Sequence, residues 1–433
     1  MSQTATTTVA ADAKRSDSVG DDFARVSATF SGNVDNPFPI YRERRANMPV
    51  MVGDIVTEFG SVTFTTMQKP RPVYTLFRYH DVMSVLKDAK NFSSGFLMET
   101  GMASFMDGFA LTAMDGDAHR QARGLLQPCF APDVLKNWRL NRIQPVIREE
   151  FVAPLVSRGK AELVADMALM FPIRVIYDLM GFPNEPESLS KFASAALRIL
   201  GGISPDPEAK KAAMVAAKEL YDSTLKIVQA RRAAGLDGDD LISRLIRSSF
   251  EGSSLTDHQI TMFTRMLLPA AAETTTRTFS TLMTLLLERP ELLERIRADR
   301  SLISKAIDES VRYEPVATFK VREVQNDSVF QGIAIPKGSL LSLCVASANR
   351  DDEVFEDGDT FNIDRTTRMA FGFGFGPHMC VGLFIAKAEI EVALNAMLDM
   401  MPDLRFDPDY PRPVIRGIQL RGPEAVHVVW TPQ

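Results

Sequence analysis

Cysteine is scarce in this chain. Its 433 residues include three, Cys129, Cys344 and Cys380. They are too few and too widely spaced for a disulfide framework or a CxxC zinc pair, so a reducing compartment fits and any cysteine chemistry rests on one residue at a time. Basic residues are not in excess either. Lys and Arg number 49 against 55 Asp and Glu, a net charge of −6, which lacks the basic footprint of a nucleic-acid binder. No segment reaches the roughly 18 consecutive apolar residues of a membrane helix. The opening "MSQTATTTVAADAKRSDSVGDD" has no apolar signal core. The expectation is a soluble, cytoplasmic protein with no nucleic-acid or membrane partner. Phosphate-cradling loops are missing as well. The glycine-rich run "FGFGFGPHMCVG" fails the G-x-G-x-x-G spacing, because Pro377 and Met379 stand where the last glycine would be, and no G-x-x-x-x-G-K-[ST] occurs.

What is present is a globular composition, 45% hydrophobic and 24% charged, with no repeat and no evident linker. Residues 1–30 read as a disordered N-terminal tail, and 31–433 as a single domain. Residues 80 to 310 are mostly helical in pattern, broken at "GFPNEP" and "GGISPDP". The strongest helix starts at Thr256, an N-cap forming a capping box with Gln259, and stops at Arg289-Pro290. Those 34 residues would span roughly 50 Å. "SVFQGIAIPKGSLLSLCVA" reads as two strands around a Pro-Lys-Gly-Ser turn, and "VIRGIQL" with "AVHVVW" as another hairpin. A final helix runs from about Val381 to Met400. The fold class is mainly α with small β-sheets.

Cys380 stands just before that last helix. A helix N-terminus offers free N–H groups and partial positive charge, and both favour a thiolate. Gly374, Gly376 and Gly382 would let a large flat ligand approach. A haem iron takes such a thiolate as axial ligand. The alternative is a buried structural cysteine beside a turn. A protease nucleophile lacks a surrounding signature.

Residues 373–382, "FGFGPHMCVG", resemble the F-G-x-G-x-H-x-C-x-G haem signature of the cytochrome P450 monooxygenases, which fixes six of ten positions. The resemblance implies a triangular, α-rich domain with haem b (iron protoporphyrin IX) between the long I-helix and the L-helix, and Cys380 as the iron's thiolate ligand. It makes Phe373 and Gly382 cofactor neighbours and His378 a partner of a haem propionate. "DESVRYEP" is similar to the family's E-x-x-R motif, with Glu309 and Arg312 on one helix face. There Arg365, in "DTFNIDR", would complete a structural network. His119 and Arg123 in "DGDAHRQAR", at i and i+4, and Arg322 in "FKVREV" resemble the propionate-binding cations.

"LLPAAAETTT" resembles the oxygen-activation motif, with Glu273 as the proton-gating acid and Thr274 as the hydroxyl. Two departures stand there. Ala271 replaces the usual glycine, and Pro269 should kink the helix.

The resemblance implies hydroxylation of an apolar small molecule with O2. Two electrons would come from a ferredoxin or flavodoxin and its reductase, since the chain has no dinucleotide fingerprint; a monomer is expected. The segment "FSSGFLMETGMASFMDGFALTAM" would roof the pocket. Met266, Ala270, Val316, Ala317, Phe319, Ile418 and Gln419 would line it, suiting a terpenoid, steroid, fatty acid or aromatic. The competing readings are a peroxide-dependent haem-thiolate enzyme and a non-enzymatic haem sensor.

Overall fold

The computed structural model describes residues 9–66, 69–100, 107–182, 185–235, 237–366 and 369–432. Helices dominate and the sheets are small. The central helix runs Asp257–Leu287, with both halves of the Thr256/Gln259 capping box formed. It stays helical through Pro269. From Thr275 to Leu287 every residue is buried, so this helix is enclosed on all sides there and forms the axis of the main core.

The principal sheet has five strands in the order β1 (Val50–Val52), β2 (Val73–Leu76), β10 (Leu340–Cys344), β7 (Phe319–Val324) and β3 (Phe92–Ser93). β10 pairs parallel to β2 and antiparallel to β7, with Leu343 opposite Lys320 and Leu341 opposite Arg322. A second sheet joins β4 (Lys160–Glu162), β12 (His427–Val429) and β11 (Arg405–Phe406). The remaining strands form two hairpins: β5 (Ser249–Phe250) with β6 (Ser253–Ser254), and β8 (Ser328–Phe330) with β9 (Ile333–Ile335).

Three expectations need correction. The N-terminal tail is helical from Val9 to Ser31. Val19, Phe23, Val26 and Phe30 recur at four-three-four spacing and are buried in the main core. Asp22 accepts a hydrogen bond from Arg198 Nε at 2.9 Å, tying the helix to helix Pro186–Gly201. A polar, Thr- and Asp-rich composition masked that stripe; residues 1–8 lie outside the described residues. The Pro336–Ser339 turn does not join a hairpin: β9 pairs with β8 around Gln331-Gly332, both at positive φ, while β10 enters the five-stranded sheet. Near the C-terminus, residues 416–422 close on themselves through an Arg416–Gly422 bridge, and β12 pairs with β4 and β11 instead.

Candidate active site

The loop before helix Leu383–Met400 is closed by backbone bonds from Cys380 N to Phe373 O (2.8 Å) and Gly374 N to Phe371 O (2.8 Å). Gly376, at φ +68°, brings the chain so close to Leu86 that a Cβ would sit 2.6 Å from its carbonyl oxygen. It therefore serves loop-to-helix packing. Of the three glycines expected to give clearance, Gly382 is the one where a Cβ would meet nothing within 4 Å. The amides of Gly382 and Leu383 donate to Cys380 Sγ and pull its pKa down, while burial pushes it up more strongly. Yet the residue carries accessible surface. Both hold if the sulfur lines a hollow inside the protein.

The central helix has an accessible face of its own. Its middle is buried except for Met266, Pro269, Ala270, Ala271 and Thr274. Met266, Ala270 and Thr274 stand four apart, one stripe down one face. Met266 packs with Leu97, Met98, Ala110 and Ala113, all from the segment expected as a roof; residues 101–106 of that segment lie outside the described residues.

Helix Gly116–Leu126 presents His119 and Arg123 to the cysteine loop. Arg123 Nη1 donates to Met379 O at 2.7 Å. The His119 ring lies 4.3 Å from that of His378, centroid to centroid, and its buried Nε2 has no hydrogen-bond partner. Burial and the neighbouring His378 and Arg123 depress His119 to about 4. His378 Nε2 is 3.1 Å from Asp115 Oδ1; Asp115 also accepts from Ser93 Oγ at 2.6 Å and Ser94 N at 2.8 Å. β7 adds Arg322, depressed to about 10 by burial.

Glu309, Arg312 and Arg365 meet as expected. Arg312 grips both Glu309 oxygens at 2.7 Å, and Arg365 Nε lies 3.5 Å from Oε1. Arg312 Nη1 also donates to Asn349 O at 2.9 Å, and Asn349 Oδ1 accepts from Phe371 N at 2.8 Å. Asn349, fully buried, is thus the missing link between the ion-pair network and the cysteine loop. A buried asparagine carries no sequence signature of its own.

The acid and hydroxyl of the central helix are neighbours in sequence but point into different surroundings. Thr274 is half-accessible on the stripe, its Oγ1 donating to Ala270 O at 2.7 Å. Glu273 is buried and paired with Arg277. Among the expected pocket residues, Ala317 is half-accessible. Phe319 and Ile418 are packed instead into a core around Tyr41 and Phe77, because strand alternation turns Phe319 away from the face of Lys320 and Arg322. Val316 and Gln419 are buried in backbone pairing, with Gln419 Nε2 bonded to Val62 O at 2.9 Å. A surface depression lined by Glu288, Arg289, Leu292, Arg295, Phe361 and Asp364 includes none of the residues singled out in the sequence.

Among the described residues no group of three His, Cys, Asp or Glu could hold a bare metal ion. A metal at Cys380 would need ligands of its own, such as a porphyrin supplies. The cations around the cysteine, the unpartnered His119 nitrogen and the open face of Gly382 fit a large planar anion.

The family model Cytochrome P450 matches residues 187–401. Pulcherriminic acid synthase of Bacillus subtilis is 33% identical over 371 residues, covering 82% of this chain and 89% of that protein. Cytochrome P450(MEG) of Priestia megaterium is 31% identical over 78% of this chain and 83% of its own. This chain belongs to the cytochrome P450 family. Its overall structure agrees: CYP109E1 of Bacillus megaterium, solved with testosterone, superposes with a TM-score of 0.78 at 27% identity, over 92% of this chain and 99% of that one. The substrate-free form gives a TM-score of 0.81 at 26% identity, over 92% and 99%. As a P450, the protein is a haem-dependent oxidoreductase of the monooxygenase class. No helix among the described residues is long and apolar enough to cross a membrane.

Proposed function

We propose that this P450 carries haem b on Cys380 and hydroxylates a small, largely apolar molecule. Its electrons would come from a separate ferredoxin or flavodoxin with its reductase, in the cytoplasm, as a monomeric single-domain enzyme. The observation that carries this reading is the accessible stripe Met266–Ala270–Thr274 on a largely buried helix, with Leu97, Met98, Ala110 and Ala113 packed at its Met266 end. Apolar walls with few polar groups suit apolar ligands.

When bound, the haem supplies dioxygen activation and oxygen transfer. The chain's part is placement and charge. The Gly382 and Leu383 amides stabilise the Cys380 thiolate. Arg123, Arg322, His119 and His378 are the candidate partners of the propionates. Thr274 presents a hydroxyl whose present partner is a carbonyl one turn back, so it can turn to pass a proton into the hollow. Glu273 can feed it only by leaving Arg277.

That separation of acid and hydroxyl favours peroxide use as the second reading, since peroxide brings its own protons. A Soret-shift screen of terpenoids, steroids, fatty acids and aromatics on the holoenzyme finds the ligand class. Turnover with NADH and a ferredoxin system, against turnover with peroxide alone, separates the two readings. Faster, cleaner product from peroxide would overturn the ferredoxin-fed one.

A further inference from the structure

Arg277 holds Glu273 by one arm. Its Nε donates to Oε1 at 2.5 Å, while its Nη2 donates elsewhere, to Ser27 Oγ at 2.7 Å. Two other arginines of this protein show the alternative grip. Arg312 gives Nε and Nη2 together to the two oxygens of Glu309, at 2.7 Å each. Arg174 does the same with Glu150, at 2.9 Å each. That fork is the stronger arrangement. At Glu273 it is not closed, and Oε2 has no hydrogen-bond partner among the described residues.

The first helix takes the second arm. Phe23 and Ser27 stand four apart on Val9–Ser31 and share one face. The guanidinium lies 4.8 Å from the Phe23 ring centroid. Gly422 confines the arginine stem, since a Cβ there would sit 2.8 Å from Arg277 Cβ. With the arginine fixed in this way, the soft motion is rotation of the Glu273 carboxylate about its last bond, a broad torsion. Without the Ser27 hydroxyl, Nη2 needs another buried acceptor, and Oε2 belongs to the group that Arg277 already grips.

We propose that Ser27 is a positioning residue for oxygen activation: it draws one arm of Arg277 aside, so that Glu273 stays half-held and free to relay protons to Thr274. This rests on the monooxygenase reading and on Glu273 as its acid. A proton taken up at Oε2 passes to Thr274 Oγ1 as that hydroxyl gives up its own, and the carboxylate is restored. A carboxylate forked at both oxygens must first break two charge-assisted bonds.

The test compares wild type, Ser27→Ala, Ser27→Thr, Glu273→Gln and the Ser27→Ala/Glu273→Gln double variant, with haem content and the reduced carbon-monoxide spectrum recorded for each. A crystal structure of Ser27→Ala is expected to show Nη2 within about 3.2 Å of Oε2. NADH oxidation with a ferredoxin and its reductase is followed in H2O and D2O. Dodecanoate, progesterone, camphor and naphthalene serve as probes, and the one giving the largest Soret shift is used. Ser27→Ala should be about tenfold slower, the cost of one more charge-assisted bond, with a larger solvent isotope effect. Ser27→Thr, which keeps the hydroxyl, should restore both values. In the Glu273→Gln background Ser27→Ala should change neither. A Ser27→Ala structure with the fork still open would overturn the proposal. So would a closed fork with unchanged rate and isotope effect, or an equal loss in the Glu273→Gln background; each leaves the monooxygenase reading standing. A wild type that shows the thiolate-type carbon-monoxide spectrum but oxidises no NADH sinks the ferredoxin-fed reading and the proposal together.

Discussion

Glu273 and Arg277 are ion-paired one helical turn apart inside the protein, with Nε 2.5 Å from Oε1 and side chains 1% and 2% exposed. Arg277 is held in turn by the N-terminal helix: Nη2 donates to Ser27 Oγ at 2.7 Å, and its guanidinium lies 4.8 Å from the Phe23 ring centroid. The second Glu273 oxygen is buried without a partner. Burial raises the Glu273 pKa, and Arg277 opposes that rise. Removing one partner of such a pair strands the other charge. Arg277→Met is expected to cost on the order of 3–5 kcal/mol, and Ser27→Ala about 1 kcal/mol, both read from denaturant unfolding of the holoenzyme. An Arg277→Met cost no larger than that of Ser27→Ala would mean that Glu273 is already neutral.

Thr274→Ala removes the one hydroxyl on the accessible stripe. Product per NADH should fall severalfold while hydrogen peroxide rises, with substrate binding unchanged. Unchanged product yield would show that protons reach the site by another route.

Cys380→Ser should abolish the thiolate-type shift of the reduced carbon-monoxide spectrum, because a hydroxyl is not deprotonated by two amide donors as a thiol is. A far-ultraviolet dichroism spectrum identical to wild type separates this loss from unfolding. A retained thiolate-type spectrum would remove Cys380 from the iron.

Glu309→Gln breaks a bidentate pair buried with Arg312. A loss of roughly 3–5 kcal/mol is expected, and haem retention should fall with it, since Arg312 reaches Phe371 through Asn349. Asn349→Ala should lower haem retention with a smaller loss of stability. If Asn349→Ala leaves haem retention as in wild type, the network does not act through the cysteine loop.

Cys129 is buried, and burial pushes its thiol up to about 11; burial raises Cys344 still further. Thiolate is the reactive form, so neither should label with a thiol reagent at pH 8 in native holoenzyme, while both label after unfolding. The stability sign follows. As pH rises past the ordinary thiol value near 9, the unfolded chain loses the proton first, and the folded state is progressively disfavoured until about 11. Native labelling at pH 8, or stability rising over that window, would contradict the buried placement.

Much of the site was readable before any coordinates. The capping box, the long helix, the cysteine before the last helix and the paired positions 309 and 312 depend on short-range spacing, and local rules govern them. What spacing could not supply was orientation. Phe319 reads as a pocket residue until the register of β7 against β10 turns it into the core around Tyr41 and Phe77 and sets Lys320 on the face of Arg322. The first helix reads as a polar tail until helix Pro186–Gly201 and Arg277 give its four apolar residues a surface to cover.

The sequence alone determined the family, through six residues in ten around Cys380, and the mainly α architecture, through helical periodicity and caps. Tertiary structure alone decided that Glu273 is tied to Arg277 and the N-terminal helix rather than to Thr274. It alone decided that Asn349 carries the ion-pair network to the cysteine loop. The physical reason is the same in each case. Burial and pairing of a charge depend on which distant segments close around it, and no local pattern encodes that.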